Sequence, residues 1–391
     1  MYINKNGCVN FILAQPFIVY SYFLPRISGQ PNDIYKYQDF GAPLKEELSA
    51  WLTEEFGKYP LYHCLNHKEN LRINKINKTM RNIAFLLLLL LTLPLYAAEE
   101  DMTLTTPTGN IYGKLLLPQG EQPCPVVLLI AGSGPTDMNG NTIGSDYNSN
   151  SLLYLAQELA KEGIATVRYD KRGIGKSADA GTSEEDLRFE HYIDDAVLWC
   201  ELLAGDKRFT QISIAGHSEG SLIGMVASGK SDKVKSYISI AGCGTPAYTL
   251  IEEQLGKQAT ALQAEAERIN SHLRRGETVD DIPQLLKALY RKSVQPYLIS
   301  WFRYDPAKEI TKLKIPVLIL QGDKDIQVST REAQKLFMAR MLSSFYIIEN
   351  MNHVLKHCES DNMLTQLETY KSPSLPVKRE LIDRISSFIK Q

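Results

Sequence analysis

The 391-residue chain lacks an excess of either charge: 43 Lys and Arg stand against 45 Asp and Glu, for a net charge of −2. No Lys/Arg-rich run suggests a phosphate-binding face, so the composition excludes nucleic acid as the expected partner. Internal repeats and low-complexity tracts are also missing. With 44% hydrophobic and 23% charged residues, fibrous and disordered classes drop out and a globular protein remains.

Long hydrophobic runs are scarce. The strongest compositional break lies near residue 80, where Met80-Arg81-Asn82 precedes the almost unbroken apolar run Ile83 to Leu95. Tyr96-Ala97-Ala98 brings small residues, and Glu99, Glu100 and Asp101 follow. That order predicts a secretory signal peptide over 80–98, cleaved near Ala97 or Ala98, and an exported protein, periplasmic or extracellular. The rival is a membrane anchor. Ile83 to Ala98 is only 16 residues and includes Pro94, short of the ~20 that a spanning helix needs, so no stable span is expected in the mature form. Residues 1–79 hold an isolated apolar stretch, Phe11 to Leu24, and the Lys/Asn/Ile-rich run Lys68 to Lys78, without a strand-and-turn rhythm. Met80 is therefore read as the initiator, with 1–79 an upstream extension outside the mature protein and 99–391 the functional domain.

Cysteine is sparse as well. Cys124, Cys200, Cys243 and Cys358 remain after residue 98. Export permits disulfides, but a core of this size does not require them, and buried free thiols are expected for at least two of the four.

What the chain does have is alternation. Thr103–Thr106 and Ile111–Leu117 flank the turn Thr108-Gly109-Asn110 and read as an antiparallel hairpin. Strand patterns follow at 125–130, 165–169, 211–215, 236–240, 317–320 and 344–348. Between them fall helical patterns around Leu152–Leu159, Ala196–Leu203, Ser221–Ser228 and Ala333–Met341, with a closing helix over Val377–Ile389. Ser149–Ser151 are candidate caps of the first helix, and Gly163 its stop. Strand–helix alternation predicts an α/β fold: a mostly parallel sheet with an N-terminal antiparallel hairpin and helices on both faces. About residues 245–306 the texture changes. Leu250–Leu273 and Ile282–Leu289 look helical, linked by a polar stretch, with no strand signal. At about 60 residues this exceeds one crossover and reads as a helical lid inserted over the strand ends.

Gly216-His217-Ser218-Glu219-Gly220 stands between the strand 211–215 and the helix after it. So tight a strand-to-helix turn strains its central residue and leaves no room for side chains at the flanking positions. It exposes the Ser218 hydroxyl at the sheet's carboxyl edge and at a helix N-terminus, where negative charge is favoured. Ser218 is the candidate nucleophile. A serine needs a base, and the downstream histidines are His272, His353 and His357. His272 lies in the lid. His353 follows the last strand and returns to the edge that holds Ser218. His357 could share a helical face with it as a metal pair, but no third ligand at metal spacing accompanies them, so no metal is expected. The base needs an acidic partner to select its tautomer, and Gly322-Asp323-Lys324-Asp325 offers two carboxylates; spacing alone leaves Asp323 and Asp325 both open. Backbone amides should hold the developing oxyanion. Glu219, next to the nucleophile, supplies one; Ser133 in Ala131-Gly132-Ser133-Gly134-Pro135 supplies the other. A phosphate-cradling loop is excluded because no Lys follows at P-loop spacing. No cofactor is implied.

These stretches, with Tyr169-Asp170-Lys171-Arg172-Gly173-Ile174-Gly175-Lys176-Ser177 and Gly322-Asp323-Lys324-Asp325-Ile326-Gln327-Val328, resemble the lidded α/β-hydrolases of the serine aminopeptidase-like and bile-acid-CoA transferase/thioesterase-like group. Within it the chain looks most like bacterial carboxylesterases. The resemblance spans about residues 101–391. It implies the α/β-hydrolase fold, Asp325 as the acidic member, and a small-molecule ester as substrate, hydrolysed through an acyl-enzyme. Thioesterase, acyltransferase or peptidase activity on the same triad, and a silent binding scaffold, are the alternatives. It also implies that Arg172 braces loops rather than binding substrate. Ser221 stands where a further glycine is common, and Met138 where relatives often carry arginine; the latter argues against an anion site in that loop.

Overall fold

The computed structural model describes residues 99–391 apart from 121–122, 182 and 258; the expected signal peptide, 80–98, and the expected upstream extension, 1–79, lie outside the described residues. The hairpin forms as β1 (Glu99–Thr106) and β2 (Gly109–Leu116), in antiparallel register with Thr106 opposite Gly109. Six more strands complete one sheet: β3 (Cys124–Ile130), β4 (Ala165–Tyr169), β5 (Phe209–His217), β6 (Val234–Ile240), β7 (Val317–Gly322) and β8 (Ser344–Ile348). Their order is β1-β2-β4-β3-β5-β6-β7-β8, parallel from β4 through β8. This is the mostly parallel sheet with an N-terminal antiparallel hairpin that the alternation predicts, in the α/β-hydrolase arrangement that the resemblance implies.

The central strands are apolar on both sides because both faces are covered. In β3, Val126, Leu128 and Ile130 enter one core while Val127 and Leu129 enter the other. The second core packs under α1 (Ser151–Lys161) and the C-terminal helix, whose Leu381, Ile382, Ile385 and Ile389 are all buried. Each such side chain contributes roughly 1.5–3 kcal/mol relative to exposure. The first core packs under α2 (Phe189–Ala204) and α3 (Glu219–Lys230). Helix α3 is buried without a break from Glu219 to Ser228. It is apolar all round because sheet, α2 and lid enclose it.

The lid contains no strand among its described residues, as expected, but it is more broken than the sequence suggests. Leu250–Leu273 is two helices, α4 (Ala247–Gly256) and α5 (Thr260–Leu273). Asn270 of α5 donates to Tyr248 O and Glu252 Oε1 of α4, so the chain folds back on itself there. The patch 282–289 becomes a 3-10 turn at 284–286 and the short α6 (Lys287–Tyr290); α7 (Gln295–Trp301) and α8 (Pro306–Thr311) follow. The remaining helices are α9 (Thr330–Ala339), α10 (Met363–Tyr370) and α11 (Arg379–Ile389). Helix α10 is absent from the sequence reading. Asn362 caps it, accepting from Leu364 N and Thr365 N, a signal of the N-cap kind. The N-cap of α1 falls within the expected Ser149–Ser151: it is Asn150, at φ 52° and without a side-chain cap bond, while Ser149 Oγ accepts from Ser151 N at 3.3 Å. The four cysteines form no disulfide. Cys124, Cys200 and Cys358 are buried, and burial pushes the Cys200 thiol up to about 12.

Candidate active site

The loops that carry chemistry all leave the carboxyl ends of β3 through β8. Strand β5 runs into Ser218, whose N–H donates to Ile240 O of β6 at 2.9 Å. Ser218 sits at φ 54°, ψ −121° and is followed at once by α3. A non-glycine residue there carries roughly 1–3 kcal/mol of strain, held by its surroundings. A Cβ on Gly216 would lie 2.1 Å from Gly220 O, and one on Gly220 would lie 2.4 Å from Ile130 O. Both glycines are therefore demanded by backbone approach.

His353 is 2% exposed, and its Nδ1 lies 2.7 Å from Asp325 Oδ2. Asp325 is held by three further donors: Gln321 Nε2 at 2.9 Å on Oδ2, and the amides of Gln327 and Val328, each 2.8 Å from Oδ1. Asp323 points elsewhere, exposed, accepting from Asn350 N at 2.6 Å. Asn350 is at φ 54°, so Asp323 braces the turn that leads to His353. Of the two carboxylates that spacing leaves open, Asp325 is the one that meets the histidine. The side chain of His272 is exposed beside Glu277, and that of His357 is exposed beside Glu359.

Ser218, His353, His217, Gly132 and Ser133 line one cleft, with Thr136, Thr142, Ser151 and Gln327 on its walls. Among the described residues no hydrogen bond joins Ser218 Oγ to His353; in enzymes without substrate such contacts are commonly long and tighten on binding. Glu219 is the first residue of α3, where an N–H has no partner within the helix. The Ser133 amide has no acceptor among the described residues, while its carbonyl accepts from Thr136 Oγ1 at 2.7 Å. A Cβ on Gly132 would come within 3.1 Å of Ser218 Cβ, so the loop passes close against the serine. Ser133 and His353 thus line the same cleft as Ser218, and Glu219 follows it at the first position of α3.

Sequence reasoning missed two side chains here. His217 Nε2 lies 2.8 Å from His353 O. Burial, aided by the neighbouring His353 ring 4.8 Å away, holds its pKa down to about 3. His217 is therefore neutral and donates from Nε2, fixing the backbone that carries His353. Lys171, 1% exposed, donates to Gly132 O and Glu219 Oε1. Only its position in the Tyr169–Ser177 stretch hinted at it. Arg172 braces as expected: it forms a bidentate pair with buried Asp195 and reaches Thr108 Oγ1 and Ala180 O. The Asp170 carboxylate joins two loops, accepting from Met138 N and Lys176 N, and burial raises its pKa. Ser221 tolerates its position by bonding Tyr237 Oη and Ser239 Oγ.

A family model described as serine aminopeptidase, S33, matches residues 144–290. That stretch includes Ser218 but ends before Asp325 and His353. Esterase EstD of Thermotoga maritima is 26% identical over 304 residues, which cover 74% of this chain and 67% of that one. Among solved structures, Est1E from Butyrivibrio proteoclasticus is 19% identical with TM-score 0.49, covering 74% of this chain and 99% of its own. A Pyrococcus furiosus esterase is 13% identical with TM-score 0.47, covering 75% and 90%. With the eight-stranded sheet, the strained serine turn and these similarities together, the chain has the α/β-hydrolase fold and is a hydrolytic enzyme.

Proposed function

We propose that this enzyme hydrolyses carboxylic esters of small molecules through an acyl-enzyme, with Ser218 as nucleophile. The observation that carries the reading is the bond from His353 Nδ1 to Asp325, four-fold anchored, in the cleft that holds Ser218. With Nδ1–H committed to Asp325, the neutral ring presents Nε2 as a base. Ser218 Oγ attacks the ester carbonyl as its proton passes to His353. The Ser133 and Glu219 amides take the negative charge on the carbonyl oxygen, each worth roughly 3–4 kcal/mol. His353 then protonates the leaving alcohol; a water gives a proton to His353 and attacks the acyl-enzyme, and His353 returns that proton to Ser218 Oγ as the acid departs. The similarity to esterase EstD favours an ester. So do the cleft walls: among the described residues lining it are hydroxyls and an amide, without a carboxylate to meet the free ammonium that an aminopeptidase must bind. The Met80–Ala98 order supports action after export.

The chain beginning at Glu99 should be assayed on matched ester, thioester and aminoacyl substrates and treated with a fluorophosphonate probe. Ester turnover at least tenfold above the others in kcat/KM, with labelling at Ser218, is expected. No labelling of wild type would leave a binding scaffold instead.

A further inference from the structure

Behind the two amides lies a buried ion pair that none of the steps above uses. The Lys171 ammonium donates to Gly132 O at 2.7 Å and to Glu219 Oε1 at 3.0 Å. It also rests 4.8 Å from the centre of the Tyr192 ring. Tyr297 of the lid helix α7 closes the box: its ring packs 5.9 Å from Tyr192. Burial first, and then the adjacent Glu219 carboxylate, push its phenol far up. Both charged side chains are almost fully enclosed, Lys171 at 2% and Glu219 at 3% side-chain exposure.

The position of the carbonyl decides what this pair can do. Gly132 C=O and Ser133 N–H belong to one planar peptide group, with oxygen and hydrogen on opposite sides. A cation clamped on that oxygen fixes the direction of the N–H. It also draws electron density towards the oxygen, which strengthens the N–H as a donor, as linked hydrogen bonds polarise one another at low dielectric. The same ammonium anchors the side chain of Glu219, whose own N–H is the second donor. Stability alone gives no reason for the arrangement. Buried ion pairs are costly to desolvate, and apolar replacements of matching volume are often as stable or more so.

We propose that Lys171 is a positioning residue of the oxyanion hole, aiming and polarising the Gly132–Ser133 peptide and locking it to Glu219. This rests on the acyl-transfer reading above. Charge on the carbonyl oxygen develops only in the transition state, so losing Lys171 should lower kcat and leave KM in place.

The test is Lys171→Met in the chain from Glu99, with turnover of a simple ester and binding of a trifluoromethyl ketone. The ketone adds Ser218 Oγ to its carbonyl and leaves an oxyanion; the matching methyl ketone controls for ground-state binding. We expect kcat and trifluoromethyl ketone affinity both to fall about 100-fold, on the scale of one lost oxyanion donor. KM and methyl ketone affinity should stay within about threefold. Should K171M misfold because Glu219 is stranded, the double variant K171M/E219M removes both charges, and the same pair of losses is expected from it. A folded single or double variant with kcat and trifluoromethyl ketone affinity within about threefold of wild type overturns the proposal. A wild type that neither turns over ester nor binds the fluorinated ketone is a different result: it removes the hydrolase mechanism, and the inference with it.

Discussion

Asp325 and Asp323 differ by two positions in one loop, and replacing each by asparagine separates orientation of the base from loop bracing. Asp325 accepts four hydrogen bonds, two on each oxygen. An asparagine has one acceptor oxygen and one NH2 group. If its oxygen keeps the amides of Gln327 and Val328, its NH2 faces Gln321 Nε2 and His353 Nδ1. Imidazole then relieves the donor clash by moving its proton to Nε2, the nitrogen that must be bare to accept from Ser218. A wrong tautomer with intact geometry costs on the order of 10⁴ in kcat, about 5.4 kcal/mol at 1.36 kcal/mol per decade. The Asp323 side chain by contrast accepts one exposed hydrogen bond, from Asn350 N. Asp323→Asn keeps an acceptor there, so kcat should stay within about threefold and stability should fall by less than ~1 kcal/mol. Steady-state kinetics on one ester, with urea melts of all three proteins, gives both numbers. A greater kcat loss in D323N than in D325N, or more than a tenth of wild-type kcat surviving in D325N, would refute the assignment.

The strained elbow makes Ser218→Gly more stable than Ser218→Ala by about 1 kcal/mol, since glycine accepts φ 54° without penalty; a thermal melt in the reverse order defeats this. Both variants should lose on the order of 10⁶ in kcat and all fluorophosphonate labelling, and retained labelling would mean another nucleophile. Gly220→Ala, which drives a methyl to 2.4 Å from Ile130 O, should cost about 3 kcal/mol or prevent folding; a soluble variant with wild-type Tm contradicts the packing. His217 carries the pH prediction. Its folded pKa, about 3, lies below the unfolded value, so its share of stability is complete above pH ~6.5 and drains as pH falls towards 3, by at most roughly 1.4 kcal/mol per unit. Tm measured from pH 7 to 4 should therefore fall less steeply in His217→Gln than in wild type, and parallel curves would show that His217 does not titrate with unfolding.

What the sequence discloses and what it hides follow the range of the interaction. Strand β4 is read at its true bounds, Ala165–Tyr169, with all five residues buried, because burial on a sheet writes itself into adjacent residues. The serine turn is equally local: two glycines, a strand before and a helix after. The lid resists because its helices pack on one another through pairs such as Asn270 and Tyr248, 22 residues apart. A periodicity window cannot show where such a chain turns back.

The site divides along the same line. Ser218, His353 and the two amides each sit at the end of a strand, and strand ends are legible. Choosing Asp325 over Asp323 by spacing fails because the deciding contact spans 28 residues; only the resemblance selects it before the fold does. Neither route gives Lys171 or His217 a role, although Lys171 stands in the Tyr169–Ser177 stretch. Lysine in a polar stretch reads as a solvated charge, and the histidine before a nucleophile reads as filler in a tight turn. Lys171 binds partners 39 and 48 positions away, and His217 one 136 positions away. Both act on backbone carbonyls, which carry no side-chain signature. A residue whose work is to hold another residue's main chain therefore leaves no mark in spacing. It comes into view only when the fold brings an ammonium or an imidazole N–H against that carbonyl, and here both carbonyls lie in the two loops that face Ser218.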